Sequence, residues 1–386
     1  MSEIKKLIER LCPDGVEYKK LGEICEIKTG KGITQKDCTE DGEYPVMSGG
    51  QTPMGMYSEY NREGNTVTVS RVGAYAGFVS YIIDRFYCND KCFSVIPKPN
   101  IQISSKYLFY VLKHQEEYIK NLQSEGGVPT INTKKVGNVE IPVPPIEVQS
   151  KIVEILDNFT ELEAELEAEL EARRKQYEYY RNQLLTFDKV GGVRFDVKWM
   201  TLGEIGEVCM CKRIMKHQTS DSGEIPFFKI GTFGGTPDAF INRELYEEYK
   251  SKFSYPKKGD ILISASGTIG RAVIFDGKDA YFQDSNIVWI DNDESILYNK
   301  YLYYLYSIID WKTEGGTIKR LYNGNLKATK IAIPPLSEQK RIVSILDRFE
   351  ALTTDLQSGL PAEIEARRKQ YEYYREQLLT FKRKTA

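Results

Sequence analysis

Glu171-Ala-Arg-Arg-Lys-Gln-Tyr-Glu-Tyr-Tyr-Arg181 recurs unchanged as Glu365 to Arg375. After one difference, Asn182 against Glu376, Gln183-Leu-Leu-Thr-Phe187 recurs as Gln377 to Phe381, so sixteen of seventeen positions agree. Self-similarity of this length means that the chain carries its architecture twice. Outward from the repeat, Leu21-Gly-Glu-Ile24 matches Leu202-Gly-Glu-Ile205 and Glu43-Tyr-Pro45 matches Glu224-Ile-Pro226. Lys106-Tyr-Leu-Phe-Tyr110 then matches Lys300-Tyr-Leu-Tyr-Tyr304, and Gly126-Gly127 matches Gly315-Gly316. Ile141-Pro-Val-Pro-Pro145 and Ile155-Leu-Asp157 match Ile331-Ala-Ile-Pro-Pro335 and Ile345-Leu-Asp347. The chain reads as A-B-A′-B′: a first domain over 1–145, a helical segment over 146–190, a second domain over 191–335 and C-terminal helices over 336–386.

The two B segments are nearly identical, whereas in the A domains only scaffold positions agree. Duplicated helices kept alike suggest that they pair or meet one partner twice. Diverged domains suggest two different targets.

Segment B predicts a helix from about Glu147 to Phe187, opened by Pro144-Pro145 and closed before Gly191-Gly192. Its seam alternates spacings of four and three through Ile152, Leu156, Phe159, Glu163, Leu166, Leu170, Arg173, Tyr177, Tyr180, Leu184 and Phe187, a coiled-coil register with two charged interruptions. About 40 residues at ~1.5 Å each span roughly 60 Å. B′ repeats the seam from Ile342 through Leu346, Phe349, Thr353 and Leu356 to Phe381, with Ser358-Gly-Leu-Pro361 breaking it into two helices because an interior proline loses a donor and clashes with the preceding turn. Antiparallel packing of B on B′ would bury both seams and give a pseudo-two-fold molecule. Within B, Glu161-Leu-Glu-Ala, Glu165-Leu-Glu-Ala and Glu169-Leu-Glu-Ala form a tetrapeptide array of strong helix formers. It reads either as a solvated acidic helix with inward leucines or as a spacer, each unit adding about 6 Å.

With 386 residues, 41% of them hydrophobic and 28% charged, the chain has material for two ordinary domains plus connecting helices. The start, Met1-Ser-Glu-Ile-Lys-Lys6, is charged, and no run approaches the ~18 apolar residues of a membrane span, which predicts a cytoplasmic protein with no membrane partner. Seven irregularly spaced cysteines (Cys12, Cys25, Cys38, Cys88, Cys92, Cys209 and Cys211) suit a reducing compartment, and with His114 and His217 the only histidines no zinc site is expected. The formal charge of −2 hides a concentration of acidity in residues 146–190, with 6 Lys and Arg against 11 Asp and Glu. The A domains are near neutral, so a basic face in either is compatible with the total.

Both A domains hold short β-rich runs, such as Thr66-Val-Thr-Val69 and Ile261-Leu-Ile263, between Gly, Asn and Asp turns. An aromatic-rich helical stretch follows in each, Tyr107 to Leu122 and Tyr301 to Trp311, whose rings are expected in the core. The fold class is α+β: two duplicated recognition domains joined by long antiparallel coiled-coil helices. Polar glycine loops between strands are where a DNA edge would be read, since readout needs close approach plus hydrogen-bonding side chains. In A the candidates are Lys28, Lys31, Ser70, Arg71, Tyr75, Thr130 and Asn132. In A′ they are Lys212, Arg213, Lys229, Ser264, Ser266, Thr268, Lys319, Arg320 and Asn323.

There is no Walker A sequence, dinucleotide fingerprint, H-E-x-x-H pair or G-x-S-x-G elbow, and no acid, base or nucleophile cluster common to both halves. A non-catalytic chain is expected, with no catalytic residues and no metal. The rival to DNA recognition is a coiled-coil adaptor whose domains bind proteins.

Taken together, Leu-Gly-Glu-Ile opening each domain, Pro334-Pro-Leu-Ser-Glu-Gln339-Lys-Arg-Ile342, the glutamate-leucine tetrapeptides and the paired Glu-Ala-Arg-Arg-Lys-Gln-Tyr segments carry a resemblance. Over essentially its whole length the chain resembles the specificity subunit of type I restriction-modification systems. The first copy departs from the pattern, reading Pro144-Pro-Ile-Glu-Val-Gln149. The resemblance implies two target recognition domains, each reading one half of a split asymmetric site in double-stranded DNA, with the helices setting the spacer. It implies two methyltransferase subunits and restriction subunits as partners, which would hold S-adenosylmethionine, ATP and magnesium, with no cofactor in this chain. Arg173, Arg174, Tyr177, Tyr180, Arg367, Arg368, Tyr371 and Tyr374 are its candidates for coiled-coil packing and methyltransferase docking.

Overall fold

The computed structural model describes residues 2–124, 127–187, 196–315, 319–354 and 359–384, and in them repeated sequence becomes repeated structure. From the N-terminus the elements run α1 (Ser2–Leu11), β1 (Tyr18–Lys20), α2 (Leu21–Ile24), β2 (Cys25–Thr29), β3 (Tyr44–Met47), β4 (Met56–Tyr57), β5 (Thr66–Ser70), β6 (Val79–Ile82) and β7 (Tyr87–Cys88). Then come β8 (Cys92–Pro97), α3 (Ser105–His114), α4 (Glu116–Lys120), α5 (Thr133–Gly137), β9 (Glu140–Pro142) and the long α6 (Ile146–Leu185). The second half follows with β10 (Lys198–Thr201), α7 (Leu202–Ile205), β11 (Gly206–Cys209), β12 (Ile225–Phe228), β13 (Phe240–Ile241), α8 (Arg243–Lys252), β14 (Ile261–Ser264) and β15 (Ala272–Ile274). It ends with β16 (Tyr281–Phe282), β17 (Ile287–Asn292), α9 (Asn299–Tyr306), α10 (Asn323–Ala328), β18 (Lys330–Ile333), α11 (Leu336–Thr354) and α12 (Leu360–Leu379).

Two compact units share these elements: Met1–Glu167 with Glu363–Ala386, and Ala168–Ala362. Neither follows a linear segment boundary, because the first unit takes the beginning of α6 together with α12, while the second takes the rest of α6 together with α11. The first unit has an antiparallel sheet β2-β8-β5-β6, a smaller sheet β4-β3-β7 and a ribbon β1-β9. The second repeats that order as β11-β17-β14-β15, β13-β12-β16 and β10-β18. In both, the middle strand of the small sheet pairs antiparallel on one side and parallel on the other. The α+β duplication expected from the sequence is the fold.

The aromatic stretches lie in the cores. In the first unit Tyr107, Tyr110 and Val111 of α3 pack with Val67, Val69 and Phe93 of the sheet and with Ile152 and Leu156 of α6. In the second, Tyr301, Tyr304 and Leu305 of α9 pack with Ile261, Ile263 and Val288 and with Ile342 and Leu346 of α11. The first stretch divides into α3 and α4, and the second leaves the helix at Tyr306, so that Trp311 lies beyond it.

The shared motifs are the bolts between each domain and its helix. Tyr107 Oη donates to Pro142 O at 3.2 Å, Tyr110 Oη donates to the Asp157 carboxylate, and Lys106 Nζ lies 3.2 Å from Asp157. In the second unit Tyr301 Oη donates to Ala332 O at 3.1 Å, Tyr304 Oη to Asp347 at 2.6 Å, and Lys300 Nζ to Asp347 at 2.7 Å. Burial, reinforced by these carboxylates, pushes the Tyr110 and Tyr304 hydroxyls far above the usual phenol range, so they stay protonated donors. Gln149, fully buried, donates from Nε2 to Gln102 O and Pro144 O and accepts from Ser104 N. Gln339 makes the same three bonds to Ile296 O, Pro334 O and Tyr298 N. The first copy's departure from the Pro-Pro-Leu-x-Glu-Gln pattern therefore keeps the glutamine's contacts, with Ile146 for Leu336 and buried Val148 for Glu338, which pairs with Arg341.

The seam is also present. Ile152, Leu156 and Leu166 are buried, and Phe159 packs on Tyr371 and Tyr374 of α12 in the first unit. In the second unit Phe349 of α11 packs on Tyr177 and Tyr180 of α6. The α6–α12 pairing runs antiparallel, since Glu163 and Glu167, beyond Phe159 in α6, meet Arg368, which precedes Tyr371 in α12. B′ forms two helices, α11 and α12, and Pro361 sits in the first turn of α12, where its missing N–H has no helical acceptor to lose. Leu356, Ser358, Gly126, Gly316 and the Gly191-Gly192 stop lie outside the described residues. Among the described residues no helix is long and apolar enough to cross a membrane.

Candidate nucleic-acid interface

In the first unit four loops converge on the turn between β7 and β8. Gly30 N donates to Cys92 O at 3.3 Å and Lys31 N to Cys88 O at 3.0 Å, bringing the segment after β2 against the turn. Arg71 N donates to Lys91 O at 2.8 Å, Ile131 N to Arg71 O at 2.9 Å and Gly73 N to Pro129 O at 2.9 Å, which adds the loops after β5 and before α5. Asn89 N donates to Met47 O at the end of β3 at 2.9 Å, and the loop after β3 joins through Gly50 O, which accepts from the Ser70 hydroxyl at 3.3 Å. A Cβ on Gly30 would stand 2.0 Å from Cys88 O, so only glycine allows this approach.

The second unit assembles the same loops. Leu321 N donates to Ala265 O at 2.8 Å, as Ile131 N does to Arg71 O, and Ser266 bridges Arg320 as Val72 bridges Thr130. Gly73 and Gly267 turn the equivalent loops at φ of 100° and 66°, the left-handed region. The backbone scaffold is shared while the side chains on it differ, the arrangement expected when one framework presents two readouts.

The candidates separate by accessibility. In the first unit Lys31, Tyr75 and Asn132 are exposed, and Arg71 and Thr130 are half-buried in the same cluster. Arg71 donates from Nη1 to Asp90 O at 3.1 Å, lies over the Phe93 ring, and like Lys31 makes no ion pair among the described residues. Lys28 lies on β2 and pairs with Glu26. Asn132 caps α5 by accepting from Lys135 N, and Thr130 Oγ1 donates to Val128 O. In the second unit Thr268, Lys319, Arg320 and Asn323 are exposed around the equivalent loops. Arg213 is held by Asp284 at 2.9 Å, Lys229 by Asp238 at 2.8 Å, and Lys212 Nζ sits over the Phe253 ring. Such exposed pairs are worth about 0–1 kcal/mol, so a phosphate displaces the carboxylate at little cost.

Three candidates face inward. Ser70, Ser264 and Ser266 are 4%, 1% and 5% exposed. Their hydroxyls are committed to Gly50 O, Thr268 O and Asn286 Oδ1 respectively; Ser70 and Ser264 end buried central strands, and Ser266 lies in the loop after β14, turned inward by its bond to Asn286. They brace the interface and do not present themselves to a duplex. Sequence reasoning passed over Asn89, Lys91, Gln283 and Asn286, while the 51% exposed Tyr322 lies inside the Lys319–Asn323 stretch that the sequence singles out. The Asn-Asp pair inside Cys88-Asn-Asp-Lys-Cys92 is ordinary turn chemistry and was the available signal. The two cysteines are buried in that turn, and the hydrogen bond from Cys92 holds the Cys88 thiol below its usual range against the opposing effect of burial.

Of the helix residues, Tyr177, Tyr180, Tyr371 and Tyr374 pack on the phenylalanines of the seam, and Arg368 pairs with Glu163 and Glu167. Arg173 and Arg367 bond within their own helices to Gln176 and Gln370. Arg174 is exposed, and beside it Tyr179 and its repeat Tyr373 each stand 61% exposed on the outward face of the identical segment.

The family model described as the type I restriction modification DNA specificity domain matches twice, over residues 13–172 and 196–366. A Haemophilus influenzae protein named as a type I restriction enzyme specificity subunit is 47% identical, covering 99% of this chain and 100% of the relative. The Escherichia coli type I restriction enzyme EcoR124I/EcoR124II specificity subunit is 30% identical over 99% of this chain and 98% of its own length. In fold, the crystal structure of the S subunit of a type I restriction-modification system from M. genitalium aligns at a TM-score of 0.59 and 18% identity, covering 95% of this chain and 96% of that one.

Proposed function

This chain belongs to the family of type I restriction-modification DNA specificity subunits, and from that premise we propose that its first unit reads one half of a split asymmetric DNA site and its second unit the other. What supports this most is the loop cluster built twice on one backbone pattern, with Arg71, Tyr75, Thr130 and Asn132 on the loops of one copy and Thr268, Lys319, Arg320 and Asn323 on the equivalent loops of the other. Lys31, Lys91, Lys212, Arg213 and Lys229 supply phosphate contacts that position each unit, and the loop side chains supply base contacts. Ser70, Ser264 and Ser266 hold the loops from behind.

The Glu-Leu-Glu-Ala array, Glu161 to Ala172, sets the spacer between the half-sites. It straddles Glu167 and Ala168, where one unit ends along α6 and the other begins. The outward face of the duplicated segment, with Arg174, Tyr179 and Tyr373, docks two methyltransferase subunits, and restriction subunits join that assembly. The inward tyrosines are already occupied by the seam. Methyl transfer from S-adenosylmethionine and ATP- and magnesium-dependent work belong to those partners, and this chain is non-catalytic.

The test is duplex binding by the assembled methyltransferase complex across a salt series. Each phosphate contact contributes about 0.9 to the slope of log affinity against log salt. Lys31→Ala lowers the slope by about one while leaving base preference intact, and Arg71→Ala relaxes preference at one half-site. A complex whose duplex affinity ignores salt overturns the reading.

A further inference from the structure

We propose that Asn89 in the first unit, and Gln283 with Asn286 in the second, are positioning residues that hold the reading loops and so set the base selectivity of their own half-site. The inference rests on the reading that each unit serves one half-site. None of the three needs to touch DNA.

Asn89 is 1% exposed at the centre of the Cys88–Cys92 turn. Its Nδ2 donates to Ile33 O at 2.8 Å, and its Oδ1 accepts from Lys91 N at 3.2 Å. Its backbone N donates to Met47 O at 2.9 Å, and its backbone O accepts from Cys92 N at 3.1 Å. One residue thus ties the segment after β2 and the end of β3 to the turn, while the turn's own Lys91 O and Asp90 O hold Arg71. An amide is needed because one end donates and the other accepts. A carboxylate leaves Ile33 O without its donor and buries a charge.

The second unit builds the same hub from other residues. Gln283 N donates to Phe228 O at 2.9 Å, the counterpart of Asn89 N to Met47 O, and Gln283 Oε1 accepts from Ile230 N at 2.9 Å. Asn286 O accepts from Ala265 N at 2.7 Å, and Asn286 Oδ1 accepts from the Ser266 hydroxyl at 2.8 Å. Asp284, between them, holds Arg213. Two turns with different sequences have been given the same task of bonding the reading loops beside them, and the loop before α5 or α10 is held in turn by the loop after β5 or β14.

The consequence for recognition is geometric. Base-edge hydrogen bonds form within about 2.7–3.2 Å, and a good bidentate contact discriminates roughly 5- to 100-fold against the wrong base. A loop released by its hub loses that discrimination while its lysines still reach phosphates, so selectivity falls and the salt slope stays.

The experiment is methylome sequencing of cells expressing the full chain with its cognate methyltransferase, comparing the unmodified protein with Asn89→Ser and Asn286→Ser. A split motif from the unmodified chain is the condition under which the test is read, and its absence counts against half-site reading itself. The expected result is a broadened base preference, on the order of tenfold at one or more positions, confined to one half-site with Asn89→Ser and to the other with Asn286→Ser. The spacer and the salt slope are unchanged in both. Asn286 is only half-buried, so its variant carries the decision if Asn89→Ser does not fold. Unaltered base frequencies with Asn286→Ser, or an equal loss at both half-sites, overturn the proposal.

Discussion

Arg368 donates from Nε to Oε1 of Glu163 at 2.6 Å, joining two helices at positions 205 residues apart in the chain. Glu163 is one of the charged interruptions of the seam, and its partner lies in the repeated segment of α12. The pair is half-exposed, which limits its contribution to about 0–1 kcal/mol. Its use is to fix the register in which α12 lies along α6 within the first unit.

Packing rather than charge holds that contact. Phe159→Ala, which removes the ring lying 5.4 Å from Tyr374 and 6.3 Å from Tyr371, is expected to destabilise the protein by roughly 2–3 kcal/mol, below the ~3–5 of a fully enclosed phenylalanine. Arg368→Ala is expected to cost under about 1 kcal/mol. Denaturant unfolding of the two variants checks the order, and an equal cost would mean that the ion pair is worth more than its exposure allows.

Gln149→Ala and Gln339→Ala each strand buried backbone groups. Loss of three hydrogen bonds around a fully buried amide predicts a destabilisation on the order of 3 kcal/mol for either, with Glu338→Val in the second unit near neutral because Val148 already fills the equivalent place. Thermal melts of the three variants compare the two units directly.

Deletion of Glu165-Leu-Glu-Ala168 removes about 6 Å of helix. The expected outcome is a recognised site with both half-sites intact and a spacer shorter by one or two base pairs at ~3.4 Å each. Methylation mapping reads it, and retention of the original spacer would refute the role of the array.

Much of this was legible in the sequence because the duplicated motifs are themselves the contacts. Lys106-Tyr107 with Tyr110, Ile155-Leu-Asp157 and Gln149 recur because each domain must bolt onto a helix, and a bolt tolerates little change. The seam showed through its four-three spacing, and Pro361 announced the break in B′. Where along α6 one unit gives way to the other was not legible, since the four-three spacing runs on unbroken through Glu167 and Ala168. Ser70 and Ser264 misled because a polar residue ending a strand looks like a loop residue when the strand beside it cannot be seen, and Ser266 because the Asn286 amide that turns it inward lies twenty residues away. The hubs were hidden for a related reason: what Asn89 and Lys91 hold in one turn is held by Gln283 and Asn286 in a turn one residue longer, and the two turns share no sequence pattern.

The most direct test of the account is methylome sequencing of cells carrying this chain with its cognate methyltransferase against cells carrying the methyltransferase alone. The account predicts a split motif of methylated adenines present only with the chain, whose two halves respond separately to changes in the loops of the first and second units. No added methylation, with expression and complex formation confirmed, would contradict it.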